Sequence, residues 1–238
     1  GVSTKACLFC MRLKYSQVPF VVAFPTERLE AFIEGHVQGF AYFGGVPQQG
    51  LYDYAKTQVV KILEGPNREE HEMFSSLRSH YLFDSHFCRP RRGNEKGAVE
   101  NLVKYVRQHT LVPVPAFENW EELNAFLLKW CEQEKDKHQA EWAKEQQALR
   151  PLPSMAFCAA WPQAAKVSRY SLVVVDRNRY SVPASYVGQN LLARAYVDRI
   201  EILDRERVIA THTRYYGRGH TSLQLEHYLT ALERKPHA

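Results

Sequence analysis

Apolar and polar positions alternate at two periods along this chain, and the period changes near residue 166. Residues 5–13 (Lys-Ala-Cys-Leu-Phe-Cys-Met-Arg-Leu) are apolar on both alternating faces, as in a strand covered on two sides. Tyr15-Ser16-Gln17 reads as a turn, and residues 18–24 as the second arm of a hairpin. Pro25 ends that arm, and Thr26 is placed to cap a helix. Leu29, Phe32, Ile33, Val37 and Phe40 then recur at helical spacing until Gly44-Gly45. Residues 48–54 form a short extended segment ending at Asp53. A second helix opens at Asn67, with Glu70 three residues on, and turns Phe74, Leu77 and Tyr81 inward. Residues 81–83 and 86–88 read as further strand. After the basic loop Arg89-Pro90-Arg91-Arg92-Gly93-Asn94, a helix from Glu95 carries Val99, Leu102, Val103 and Val106 on its core face.

Val112-Pro113-Val114-Pro115 reads as a stiff linker. Asn119 with Glu122 opens a capped helix expected to reach Leu149, burying Leu123, Phe126, Leu127 and Trp130. Pro151-Leu152-Pro153 breaks it. Beyond Lys166, five short strands are expected at 172–175, 180–182, 191–196, 199–203 and 208–212, which suits a small barrel. The expected division is a mixed α/β unit over 1–112, a helical connector over 113–152 and a small all-β unit over 153–238.

Composition narrows the class. The chain has 238 residues, 45% hydrophobic and 24% charged, which excludes disordered and collagen-like classes. Its longest apolar runs fall far short of a bilayer span, and its first residues do not read as a secretory signal. The absence of a starting Met reads as the mark of a fragment. Five cysteines are an odd number for a disulfide framework and fit a reducing cytoplasm. Net charge is +5, unevenly spread: residues 116–150 carry 5 Lys/Arg against 8 Asp/Glu, and residues 151–238 carry 12 against 7. A basic end behind an acidic stretch points to a polyanion, although an ordinary solvated surface would look the same.

Two carboxylates are candidates for chemistry: Asp53 at a strand end and Glu100 on the helix after the basic loop. Lys96, Glu100, Lys104 and Arg107 share one helix stripe, turned away from the core face. A carboxylate among basic residues suits Mg²⁺ held beside a phosphate backbone, and it equally suits a salt-bridged solvent face. Arg89, Arg91 and Arg92 flank this stripe. In the all-β segment Arg169, Arg177, Arg179, Arg194, Arg214 and Arg218 interleave with Tyr170, Tyr180, Tyr186, Tyr215 and Tyr216, a pattern of backbone-gripping surfaces or of strands facing water. Cys7 and Cys10 face opposite sides of a strand and lack a second cysteine pair, so zinc is not expected. Trp142, on a polar helix stretch, is a candidate contact with another subunit.

Several ordered motifs together resemble the IstA-type insertion-sequence transposases. They are Leu8-Phe9-Cys10-Met11-Arg12-Leu13-Lys14-Tyr15-Ser16, Phe32-Ile33-Glu34-Gly35-His36-Val37, Gly44-Gly45-Val46-Pro47 with Tyr52-Asp53, Lys61-Ile62-Leu63-Glu64-Gly65-Pro66-Asn67-Arg68-Glu69-Glu70 and Arg78-Ser79-His80-Tyr81. The most specific is Gly93-Asn94-Glu95-Lys96-Gly97-Ala98-Val99-Glu100-Asn101. The resemblance implies an RNase H-like integrase core lacking its first strand, then a helical connector and a small SH3-like barrel. It implies a DDE triad whose second and third acids are Asp53 and Glu100, with the first acid on a strand before residue 1. Tyr54 stands where the family usually has Asn, beside the metal ligand. The implied reaction cuts element-end DNA and joins the freed 3′-OH to target DNA, using Mg²⁺ or Mn²⁺. Arg89, Arg91, Arg92, Lys96, Lys104, Arg107, Arg179 and Arg194 would hold DNA. The implied partners are double-stranded DNA, further copies of the chain and the ATPase helper protein of the same element. The alternative is a non-catalytic DNA-binding remnant of such an enzyme. A missing first strand would leave a sheet edge open beside residues 5–13, with dimerisation the expected consequence.

Overall fold

The computed structural model describes residues 4–52, 72–87, 93–113 and 115–229, with side chains of 93–101 excepted. The chain divides into two compact units, residues 1–158 and 159–238.

In the first unit, β1 (Cys7–Arg12) and β2 (Pro19–Phe24) form the expected antiparallel hairpin, with Cys7 opposite Phe24 and Arg12 opposite Pro19. Both faces are covered. Phe9 and Met11 lie against Gly35 and Gly39 of α1 (Leu29–Phe43). On the opposite face, Leu8 and Cys10 join Val21 and Ala23 against Leu102, Val106, Leu123 and Leu127. Helix α1 starts at Arg28 rather than at Thr26, whose hydroxyl accepts from the Arg28 amide at 3.3 Å. It stops where expected: Gly44 adopts left-handed φ of 65°, and the amides of Gly44 and Gly45 close on the carbonyls of Ala41 and Phe40.

Strand β3 (Gln49–Tyr52) pairs in parallel with β4 (Asp84–Phe87), in register Gln49↔Asp84 to Tyr52↔Phe87. Before β4 runs α2 (Glu72–Tyr81), which buries Phe74, Leu77 and Tyr81 as its spacing predicts. Residues 81–83 are not strand: Tyr81 closes α2 and Leu82 takes left-handed φ of 56°, turning the chain into β4. In α3 (Gly93–Thr110), Leu102 and Val106 are buried and Val103 half-buried, while Lys104 and Arg107 are exposed.

The expected single helix over 119–149 is two: α4 (Trp120–Asp136) and α5 (Gln139–Ala148). Asn119 caps α4 as expected, its Oδ1 accepting from the Glu122 amide at 2.8 Å. His138 leaves helical dihedrals, and beyond the break α5 meets the turn of the hairpin. There Glu145 accepts from the amides of Tyr15 and Ser16, and Trp142 packs on Phe43 with ring centroids 6.2 Å apart. That intramolecular contact accounts for Trp142 without a second subunit. Phe126, expected inside, is 39% exposed and rests on Phe117. The helices of the 113–152 segment thus pack within the first unit.

The second unit is all-β, built of two sheets around one core. One sheet has the order β10-β9-β8-β5, from β5 (Trp161–Lys166), β8 (Asn190–Ala195), β9 (Arg199–Asp204) and β10 (Arg207–Thr213). The other runs β11-β7-β6, from β6 (Leu172–Val175), β7 (Asn178–Ser181) and β11 (Thr221–Ser222). Val173, Val175, Tyr180, Ala193, Ile200 and Ile202 meet between them. Among the described residues the backbone ladders do not close into a barrel. Side chains span the gaps instead. Gln163 donates to the Val174 carbonyl at 3.3 Å, and His212 Nε2 to the Ser181 carbonyl at 2.7 Å. Gln224 covers the β10 edge by donating to the Thr211 carbonyl at 2.7 Å. Strand β5 escaped the sequence reading because Trp-Pro-Gln-Ala-Ala-Lys holds no β-branched residue and carries a Pro, which an edge strand tolerates.

Candidate functional site

The first candidate site lies where β3 ends. Open α/β sheets place ligands beyond the carboxyl ends of parallel strands. Tyr52 is the last residue of β3, and Asp53 follows it in the chain. Tyr52 is held from α1 by His36, which is 1% exposed. His36 Nδ1–H donates to the Phe32 carbonyl at 2.7 Å, which leaves Nε2 to accept from the Tyr52 hydroxyl at 2.9 Å. The rings of Phe9, Phe32, Phe40, Phe74 and Phe83 surround the imidazole, with centroids 4.5–6.2 Å away. Burial drives its pKa down to about 4, so the ring is neutral. Spacing already places His36 one turn beyond Phe32 on the apolar face of α1. What it lacks is any sign that the partner is Tyr52.

Asp53, Tyr54, Arg89, Arg91 and Arg92 lie outside the described residues, as does the proposed capping box at Asn67. Glu100 and Lys96 fall within α3, with side chains outside the description; Lys104 and Arg107 follow on its exposed side. Among the described residues no three His, Cys, Asp or Glu side chains gather as a metal site. Cys10 packs into the core beside Cys131, and burial raises both thiols to about 12.

The second candidate surface is on the all-β unit, where the arginines and tyrosines divide sharply. Tyr180 is fully buried. Arg214 is buried too, donating to the Tyr196 carbonyl at 2.6 Å and to Asp176 Oδ2 at 3.2 Å. It is a structural cation, not a groove-facing one. His212 is structural, in a polar pocket with Ser181, Ser222 and His227. Arg194 is half-buried on β8, directly opposite Glu201. Arg169, Arg177, Arg179 and Arg218 are exposed. The organising residue here is Asn178, which lies between the expected strands 172–175 and 180–182 and bonds to the 215–220 segment.

The family described as "Mu transposase, C-terminal domain" matches residues 152–224. The whole chain aligns, at 35% identity over 252 positions, with the "Transposase for insertion sequences IS1326/IS1353" of Pseudomonas aeruginosa, covering 50% of that protein. A "Transposase" of Aminobacter aminovorans is 33% identical across 99% of the chain and 49% of its own length. The "Transposase for insertion sequence element IS21" of Pseudomonas aeruginosa is 33% identical over 84% of the chain and 54% of its own length. The chain belongs to the insertion-sequence transposases, the family its motifs resemble. It spans about half the length of the relatives it matches. Among the described residues no helix is long and apolar enough to cross a membrane.

Proposed function

We propose that this chain supplies part of the catalytic core and a DNA-holding unit of an IstA-type DDE transposase. In this reading its first unit is an RNase H-like core and its second an SH3-like DNA-binding barrel. The observation that carries the reading is the match along the whole chain, combined with Asp53 following directly on a strand of a parallel pair. Asp53 and Glu100 offer the carboxylate oxygens that Mg²⁺ or Mn²⁺ takes as ligands. A pair of such ions, when bound, activates an attacking oxygen and stabilises the leaving one. Asp53 and Glu100 would hold the scissile phosphate's counter-charges. His36 and Tyr52 fix the strand end from which Asp53 follows. Arg89, Arg91, Arg92, Lys96, Lys104 and Arg107 would position the DNA backbone on one unit, and Arg179 and Arg194 on the other. The substrate is double-stranded DNA at element ends and target, in a bacterial cytoplasm, with further copies of the chain and an ATPase helper as partners.

The test is Mg²⁺-dependent cleavage of element-end duplexes by the transposase carrying this sequence. Asp53→Asn and Glu100→Gln are each expected to lower the rate about a thousandfold, equivalent to some 4 kcal/mol of transition-state stabilisation, with DNA binding retained. DNA binding with no cleavage in the unaltered protein would instead support a non-catalytic DNA-binding remnant. Unchanged cleavage in both variants would remove these residues from the site.

A further inference from the structure

One end of the second unit carries a loop, residues 214–220 (Arg-Tyr-Tyr-Gly-Arg-Gly-His), that is stitched to the β6–β7 turn. Asn178, fully buried, does the stitching. Its Nδ2 donates to the carbonyls of Tyr215 at 2.9 Å and Gly217 at 3.1 Å, and its Oδ1 accepts from the His220 amide at 3.1 Å. Backbone bonds complete the seam: the Gly219 amide donates to the Arg177 carbonyl at 3.1 Å, and the Arg179 amide to the His220 carbonyl at 2.8 Å. The Tyr215 ring folds over Gly217 so closely that a Cβ there would sit 2.3 Å from it. Tyr215 also stacks on His220, centroids 4.3 Å apart.

The turn itself is unusual. Asp176 and Arg177 both take left-handed φ, 50° and 65°, in a tight hairpin turn where Asn or Gly is the easier residue. Left-handed non-glycine residues persist where function or packing holds them. Packing explains Asp176, which accepts from Arg214. Arg177 is exposed, as are Arg179 and Arg218, and the backbone bonds between Gly219 and Arg177 and between Arg179 and His220 hold their segments together. Asp176 accepts from Arg214, and Arg199 donates to both Asp198 at 3.1 Å and Glu201 at 2.8 Å.

We propose that the 176–179 turn and the 214–220 loop form a preorganised phosphate-binding surface for duplex DNA, with Arg177 and Arg218 as its cations and Asn178 as its positioning residue. The proposal deepens the DNA-holding role given above to this unit and rests on it. A guanidinium fork matches phosphate oxygens in pairs, and a fixed loop presents the forks without an ordering cost. Contacts of this kind set register along DNA rather than read its sequence.

The test is binding of the whole chain to labelled duplex DNA across a salt series, read by fluorescence anisotropy. Arg177→Ala/Arg218→Ala is expected to bind at least tenfold more weakly, equally for unrelated sequences. Its log–log salt slope should shrink by about 2, at about 0.9 per phosphate contact. Arg177→Asn/Arg218→Ala should match it, because Asn suits the left-handed turn and keeps the fold. Arg205→Ala/Arg207→Ala removes the same charge at the other end of β10 and should keep the wild-type slope. A wild-type slope in the Arg177/Arg218 variants, with DNA still bound, would overturn the proposal while leaving the transposase reading intact. No duplex binding by the unaltered chain would overturn both. Binding of poly-glutamate at least as tightly as DNA, lost in the same variants, would make the ligand an acidic polypeptide and overturn the DNA assignment.

Discussion

The two units bury histidine in opposite settings. In the first, His36 is boxed by phenylalanines and has two hydrogen bonds, one to Phe32 and one to Tyr52. In the second, His212 and His227 share a pocket with the hydroxyls of Ser181 and Ser222, their rings 5.8 Å apart. Burial in the aromatic box outweighs the opposing hydrogen bond to the Phe32 carbonyl, so the His36 pKa falls to about 4. His212 and His227 are also lowered, by burial first and for His227 by its neighbour His212 next, with the Ser181 backbone opposing. The first unit fixes a strand end by aromatic packing around one hydrogen-bonded histidine, whereas the second adds polar side chains that bridge its two sheets around their apolar core. The first is sensitive to lost volume, and the second to lost hydrogen bonds as well.

The sharpest way to break this contrast is to remove volume. Phe74→Ala is expected to destabilise the first unit by about 3–5 kcal/mol and leave the second unit's unfolding unchanged, in urea titrations that follow each unit by its own probe. A shared shift would show that the units unfold as one. In the second unit, Arg214→Ala removes a buried guanidinium that donates to the half-buried Asp176 and to the Tyr196 carbonyl, at a cost of about 2 kcal/mol, while Arg205→Ala costs nothing measurable. Acid probes the histidines. His36 has a folded pKa below its unfolded value, so its contribution is intact above about pH 6.5 and is lost as pH falls toward 4. The loss approaches about 3 kcal/mol, and His36→Gln should flatten that limb in stability measured against pH. The smallest effect is local: Asn119→Ala removes the α4 cap and should cost about 1 kcal/mol in thermal unfolding, with the second unit unaffected.

Much of the fold was legible because period and burial coincide. Phe74, Leu77 and Tyr81 read as one helix face and are one. The 172–175 strand is found as expected, since Val173 and Val175 alternate with Val174. The misses share a cause. Phe126 has the spacing of a core residue, yet the helix turns it toward Phe117 and solvent. Arg214 and Tyr180 look like surface arginine and tyrosine, yet both are enclosed. Periodicity gives the face of a residue within its own element, not which element covers that face.

The sequence by itself determined the change from a mixed α/β to an all-β segment, the capped and glycine-stopped helices, and a family membership carried by ordered motifs, because those depend on neighbours along the chain. Only the tertiary structure decided that α5 meets the hairpin turn through Glu145, that His36 reaches Tyr52 across sixteen residues, and that Asn178 binds a loop some forty residues away. Those outcomes depend on partners brought together by burial, and no local pattern encodes the identity of a partner that far along the chain.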